Sequence, residues 1–382
     1  MSCRRKCSGC KKKRGIKVNN ATRKVGTREF VALILLSLGI KFTDTTPTIL
    51  FKETANAAWM VPFISGLVMI VPFIFLLKIL KTYENLDLIA IIHDLFGKYV
   101  GWFIGMTLFF ISFSSSISNT RSYVDIINTM FFPETSKVLI YLVFVGLAYF
   151  VANRGLQSIT NTVWISLPYI KVSLIFIILL IWKNIHVGYL FPIAGYGWTN
   201  VMKQGVSYSS ITSDLLFFSM LFPFFKDYKT FKTASFIGYG IVLVEIAIFW
   251  GMYIMLFDYP GIEIISYPFQ EITRMLKLGR YVSNIEALFL GFWTVASIVR
   301  FAIYIYVSTA TFAYTFKLKE FEPLLLPFSF LIILLGVLPE NNVINAYIFR
   351  GEFILQGSWI FLFLLPPILW SVMKWKKAGA AK

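Results

Sequence analysis

Apolar residues run in blocks of about twenty along most of this chain, separated by short polar breaks, from Phe30 to Met373. Crossing the hydrocarbon of a bilayer as a helix takes about 20 mostly apolar residues. Ten such blocks can be drawn, over residues 28–51, 56–80, 100–131, 136–152, 159–182, 205–225, 235–257, 281–314, 322–338 and 357–375. The period-2 alternation of barrel strands is not visible, so the pattern predicts an all-α integral membrane protein with ten transmembrane helices.

Two of the ten blocks are interrupted. Inside a bilayer the backbone can break only where protein or a water-filled cavity satisfies the freed groups, so breaks in spans point to sites. The first span carries "GIKFTDTTP" (39–47), with Gly39 free in its dihedrals, Pro47 lacking a donor, and Thr43, Thr45 and Thr46 able to bond loose carbonyls. The sixth opens on "GVSYSSITSD" (205–214), where Ser207, Tyr208, Ser209 and Ser210 begin a polar run too dense for a lipid-facing turn. Spans one and six are corresponding first helices of two five-helix halves, about 28–182 and 205–375. An odd number of helices per half gives the halves opposite orientation, which predicts an inverted repeat with a midplane site between two broken helices. Half-helix N-termini suit a carboxylate and exposed carbonyl ends suit an ammonium, so an L-amino acid matches such a site better than a sugar or a lipid.

Composition supports this: 57% of the 382 residues are hydrophobic and only 14% charged, and the mean hydropathy is +0.72. The formal net charge of +17 would suit a nucleic-acid binder, but no nucleic-acid fold signature accompanies it. Most of the Lys and Arg fall on the first 27 residues and on loops of one side, with Arg350 and a few others assigned to the opposite loops. The positive-inside rule then puts both termini in the cytoplasm and the basic surface against anionic membrane lipid. Residues 1–27 form a basic arm, expected to be disordered, with Cys3, Cys7 and Cys10 in C-x3-C-x2-C spacing; residues 28–377 form the ten-helix domain and 378–382 a tail. Three thiols fall one short of a closed zinc site, and neither a metal nor a cofactor is expected. H-E-x-x-H, G-x-S-x-G and the phosphate-cradling G-x-x-x-x-G-K-[ST] do not occur, so the chain is not expected to be an enzyme.

The stretches "SNTRSYVDIINTMFFPETSK" (118–137), "LLFFSMLFPFFKDYKTFKTA" (215–234) and "EFEPLLLPFSFLIILLGVLPENN" (320–342) resemble the B subunits of spore germination receptors, a branch of the amino acid–polyamine–organocation superfamily. The likeness runs from about Arg28 to Lys377. It implies a LeuT-type fold of ten helices in a 5+5 inverted repeat, with helices 1 and 6 broken. It also implies residence in the inner membrane of the bacterial spore and assembly with a larger A subunit and a C-subunit lipoprotein. The B subunit of that family binds the small-molecule germinant, often an L-amino acid. A proton-coupled amino acid transporter and a purely structural assembly subunit are the competing readings. Where the superfamily usually has glycine-rich backbone at the first break, this chain has Lys41, Phe42 and Asp44.

Ionisable groups inside spans are costly unless paired, so each is informative. Lys41 and Asp44, three residues apart, either neutralise each other or grip a zwitterion. Lys171 lies in span five just after Pro168. It matches a lysine that, by the resemblance, replaces a bound cation in proton-coupled relatives; a structural partner role is the alternative. Glu245 and Arg300 sit at similar depths and are read as a structural charge pair. Arg121 is read as a gate or an interhelical strut. Ser115, Ser118 and Asn119 of span three and Thr294 and Ser297 of span eight complete the cavity wall or bond between helices. The candidate ligand set is therefore Gly39, Thr43, Asp44, Thr45, Ser115, Asn119, Ser207, Tyr208, Ser209, Ser210 and Ser297, with Lys171 for ion or proton coupling.

Overall fold

The computed structural model describes residues 24–83, 86–276, 285–338 and 344–380. The cysteines of the arm, the start of the eighth predicted span and the last two residues lie outside these. The described residues are helical, apart from loops and one isolated parallel bridge between Val25 and Phe225.

Helix α1 (Thr27–Ser37) passes into a 3-10 turn (Gly39–Thr43) and resumes as α2 (Thr46–Thr54). A second 3-10 segment leads into α3 (Val61–Thr82). The long α4 (Leu88–Met130) is two helices joined at Gly97, whose φ of 81° no ordinary residue adopts cheaply. It starts on Asp87, which accepts the Ala90 N–H at 2.8 Å while burial pushes its carboxyl up to about 6. Helices α5 (Lys137–Asn153) and α6 (Leu156–Ile181) follow. Next come α7 (Trp198–Ser207), a 3-10 turn (Ser209–Thr212) and α8 (Asp214–Phe218), so span six is broken too. Helix α9 (Tyr228–Phe257) is capped by Asp227, which accepts the Thr230 N–H at 2.6 Å. The short α10 (Gly261–Ile264) and α11 (Pro268–Met275) precede α12 (Ile285–Thr315) and α13 (Leu325–Val337). A π-helix (Ile344–Gln356) runs directly into α14 (Gly357–Ala380).

Among the described residues, six helical stretches are long and apolar enough to cross a membrane, including Thr46–Thr82, Tyr228–Phe257 and Ile348–Gly379. Shorter apolar helices lie at Lys137–Asn153, Ser209–Phe224 and Glu322–Val337. Their outward faces expose Leu67, Val143, Phe150, Ile165 and Phe330, as lipid-facing surfaces do. Lipid is as apolar as leucine, so helices associate there through close packing. A methyl group added at Gly105 would lie 2.5 Å from Thr315 Oγ1, which shows how closely α4 and α12 approach. Helix α12 also packs on α5 and α6, and α1 is held among α6, α9 and α12. This buries the first break at the centre of the bundle, with α9 on one side and α12 on the other.

Candidate functional site

The first break is stabilised by side chains that take up its freed carbonyls. Tyr253 donates to Phe42 O at 2.8 Å, Gln270 to Thr43 O at 3.2 Å, and Thr43 to Ile40 O at 2.8 Å. Trp293 Nε1 donates to Thr43 Oγ1 at 2.9 Å, and its ring stacks on Tyr123 with centroids 4.8 Å apart. Asp44 leaves the 3-10 turn in an extended conformation, and its Oδ1 accepts the Thr46 N–H at 2.8 Å. Pro47 then occupies the first turn of α2, where no amide partner is needed.

Charges cross-link the two breaks. Lys41 does not pair with Asp44; its ammonium donates to the Asp214 carboxylate at the start of α8 and to the Ile211 carbonyl in the second break. Tyr304 of α12 donates to the other Asp214 oxygen at 2.9 Å. Asp44 Oδ2 receives two guanidiniums, Arg350 at 2.5 Å and Arg300 at 3.4 Å. Both arginines also donate to Asn119 Oδ1 of α4, at 3.0 and 2.9 Å. Arg350 further donates to Thr46 Oγ1 at 2.8 Å, and Arg300 to the Tyr123 hydroxyl at 2.7 Å. All five charged residues are buried.

A cavity of about 710 Å³, including its open mouth, lies against this network. Its walls come from both breaks, α4, α12, and the π-helix with the start of α14. Of the sequence-predicted ligand residues, Ser115, Asn119 and Ser210 line it, and Asp44 supports it from behind through Arg350. The others sit elsewhere. Gly39 backs onto Glu245, whose Oε2 would lie 3.1 Å from an added Cβ, and Thr43 faces Trp293. Thr45 contacts Ser122, and the Ser297 hydroxyl donates to its own helix at Trp293 O. Ser207, Tyr208 and Ser209 are not among the lining residues. Lining residues missing from the candidate set include Lys41, Thr46, Ser118, Asp214, Tyr304 and Arg350.

Arg350, expected in a loop, is instead buried in the π-helix that extends the last predicted span backward. The signal lay in "YIFRGEFILQGSWIF" (347–361), whose apolar residues on both sides of Arg350 continue the span.

A second space of about 460 Å³ opens behind the first break, lined mainly by apolar residues such as Leu36, Phe42, Leu167, Phe269 and Trp293, and by Lys171 and Glu245. The expected Glu245–Arg300 pair does not form. Glu245 accepts from Lys171, while Arg300 serves Asp44, Asn119 and Tyr123. The first span lies between α9 and α12, so equal depth does not bring Glu245 and Arg300 together. Glu245→Leu or Lys171→Met alone should cost about 2 kcal/mol, because the partner's charge is left facing an apolar wall. The double variant should recover most of that loss. Melting temperatures of the four proteins in detergent check this, and single variants as stable as the parent would show that the pair holds nothing. Arg121 is a strut, donating to Asp125 at 2.7 Å and to the Gly336 carbonyl of α13 at 2.8 Å.

Two helices broken face to face around a buried polar cavity, inside a multi-pass apolar bundle, define a membrane protein of the secondary-transporter fold. The fold is shared with Mhp1, a nucleobase–cation symport transporter solved closed with bromovinylhydantoin bound; the TM-score is 0.62 over 91% of this chain and 78% of that one, at 13% identity. The chain belongs to the spore germination protein family, whose model matches residues 25–343. It is similar to spore germination protein GerQB of Bacillus cereus, with 22% identity over 90% of this chain and 93% of that protein. Spore germination protein XB of Bacillus anthracis is 23% identical over 63% of this chain and 67% of its own length.

Proposed function

We propose that this protein is the B-type subunit of a spore germinant receptor, which binds a small germinant of amino acid size in the cavity between its broken helices and passes the change to partner subunits. The observation that carries this is the cavity itself: it is walled by both breaks, and Lys41 and Asp214 join those breaks, so whatever occupies it touches the two elements whose separation would report occupancy. Family membership supplies the biological setting. A ligand shifts such an equilibrium only by its differential affinity for the two states. The protein acts by binding and conformational change and not by covalent chemistry. In this reading the ten helices form a 5+5 inverted repeat in the inner spore membrane, with both termini cytoplasmic, and an A subunit and a C-subunit lipoprotein are the partners.

The second reading, proton-coupled amino acid transport, is favoured by one observation. The Lys171–Glu245 pair lies directly behind Gly39 in the first break, where a change of protonation would act on that break.

Ser115→Leu tests the common core of both readings. Ser115 lines the cavity and its hydroxyl carries no structural hydrogen bond among the described residues, so a larger apolar side chain fills the space without breaking the network. Spores carrying it should need at least about tenfold more germinant, a loss of about 1.4 kcal/mol in binding, while the purified protein melts within a degree or two of the parent. Unchanged germinant sensitivity would remove this cavity from the site. Uptake of labelled germinant into proteoliposomes separates transport from sensing.

A further inference from the structure

The cavity has a surplus of positive charge and of hydrogen-bond donors. Its charged lining residues are Lys41, Arg350 and Asp214; with Arg300 and Asp44 behind them the cluster holds three cations and two carboxylates, a net charge of +1 among the described residues. We infer that the ligand is a small organic acid of net charge −1, whose carboxylate is received at the Lys41 and Arg350 wall; this rests on the reading of the cavity as the ligand site.

Both Asp214 oxygens are occupied, one by Lys41 and one by Tyr304, and Asp44 already accepts from Thr46, Arg300 and Arg350. Four of the carbonyls at the breaks already accept a side-chain donor: Ile40 from Thr43, Phe42 from Tyr253, Thr43 from Gln270 and Ile211 from Lys41. Donors remain in excess. The Nε–H groups of Arg300 and Arg350 and the Ser118 hydroxyl have no partner, and the Lys41 ammonium has three N–H groups of which two are placed. A buried charge without a counterion costs several kcal/mol in a bilayer, so the site is electrostatically incomplete until an anion enters. A carboxylate supplies both the charge and the acceptors. A neutral zwitterion brings an ammonium that must compete with Lys41 and Tyr304 for Asp214, and it leaves the surplus charge in place. Within the amino acids, the class that fits is therefore the acidic one.

The experiment is a thermal-shift titration of the purified full chain, in a buffer free of chloride and carboxylates, with L-glutamate, L-lactate, L-glutamine, L-alanine, glucose and sodium chloride. Glutamate or lactate should stabilise the protein at concentrations at least about tenfold below those at which glutamine or alanine does, which is about 1.4 kcal/mol of preference. Lys41→Gln and Arg350→Gln each bring the cluster to neutrality, and whichever folds should lose that preference. Equal shifts from glutamate and glutamine that Ser115→Leu abolishes would overturn the charge assignment and leave the cavity as the binding site. A chloride shift equal to that of the acids would overturn it in favour of an inorganic anion. Stabilisation by nothing in the panel would overturn this inference and the proposed function together.

Discussion

Asp44→Asn is expected to be the most damaging single substitution in the protein, costing about 3–5 kcal/mol. Asparagine keeps the oxygen that accepts the Thr46 N–H, so the start of α2 survives and the loss isolates the charge. Arg300 and Arg350 share that carboxylate, and with Asp44 at 1% exposure no water takes its place. Removing it raises the cluster from +1 to +2 in a desolvated setting. Guanidinium does not deprotonate in proteins, so neither arginine relieves the cost by losing its charge. A folded membrane domain has only a few kcal/mol to spare, so most of the extracted protein should aggregate on size exclusion. Asp44→Asn/Arg350→Gln, which restores the count to +1, should recover a monodisperse peak and much of the melting temperature. An Asp44→Asn protein as stable as the parent would mean that water reaches the cluster, and the electrostatic case for an anionic ligand would weaken with it.

How much of this was legible depends on how local the cause is. The breaks were readable because "GIKFTDTTP" and "GVSYSSITSD" place glycine, proline and dense hydroxyls where apolar helix would otherwise continue, and the 3-10 turns fall within those stretches. Pairing was not readable, because it depends on which way each side chain leaves its helix. Lys41 and Asp44 would share a face only in a continuous helix; the extended backbone at Asp44 sends its carboxylate toward α12 while Lys41 points to the second break. Depth alone suggested Glu245 with Arg300, and nothing in the sequence showed that the first span stands between them. Arg350 was misplaced because span ten begins about a dozen residues earlier than its cleanest apolar run, in a π-helix that pattern reading does not anticipate. Ser115 and Asn119 were found because small polar residues on successive turns of an apolar helix are unusual whatever their partners, and Ser210 because it stands in the dense polar run of the second break. Gly39 and Thr43 were chosen as parts of the first break and Ser297 as a polar residue of span eight, yet they serve the reverse side of the break or their own helix.

The Lys41–Asp214 pair supplies the second large effect, because it joins the two elements that must move if occupancy is to be reported. Asp214→Asn strands the Lys41 ammonium in a wall already facing Arg350, and Lys41→Met strands the Asp214 carboxylate with only the Tyr304 hydroxyl; each should cost about 3 kcal/mol. The double variant exchanges the pair for a neutral contact and should be more stable than either single one, with a coupling of about 2 kcal/mol in the cycle. Stability and response then separate. The double variant should fold, yet spores carrying it should respond to germinant at least about a hundredfold less sensitively, equivalent to about 2.7 kcal/mol, because the charge that links occupancy to both breaks is gone. Repeating the cycle in protein saturated with ligand decides how the pair is used. If the ligand complements the surplus charge, the Lys41–Asp214 bond stays closed and the coupling persists on saturation. A coupling that vanishes with ligand would mean that the ligand displaces Lys41 from Asp214, which is the behaviour of an incoming ammonium, and the cavity would then be a site for a zwitterion.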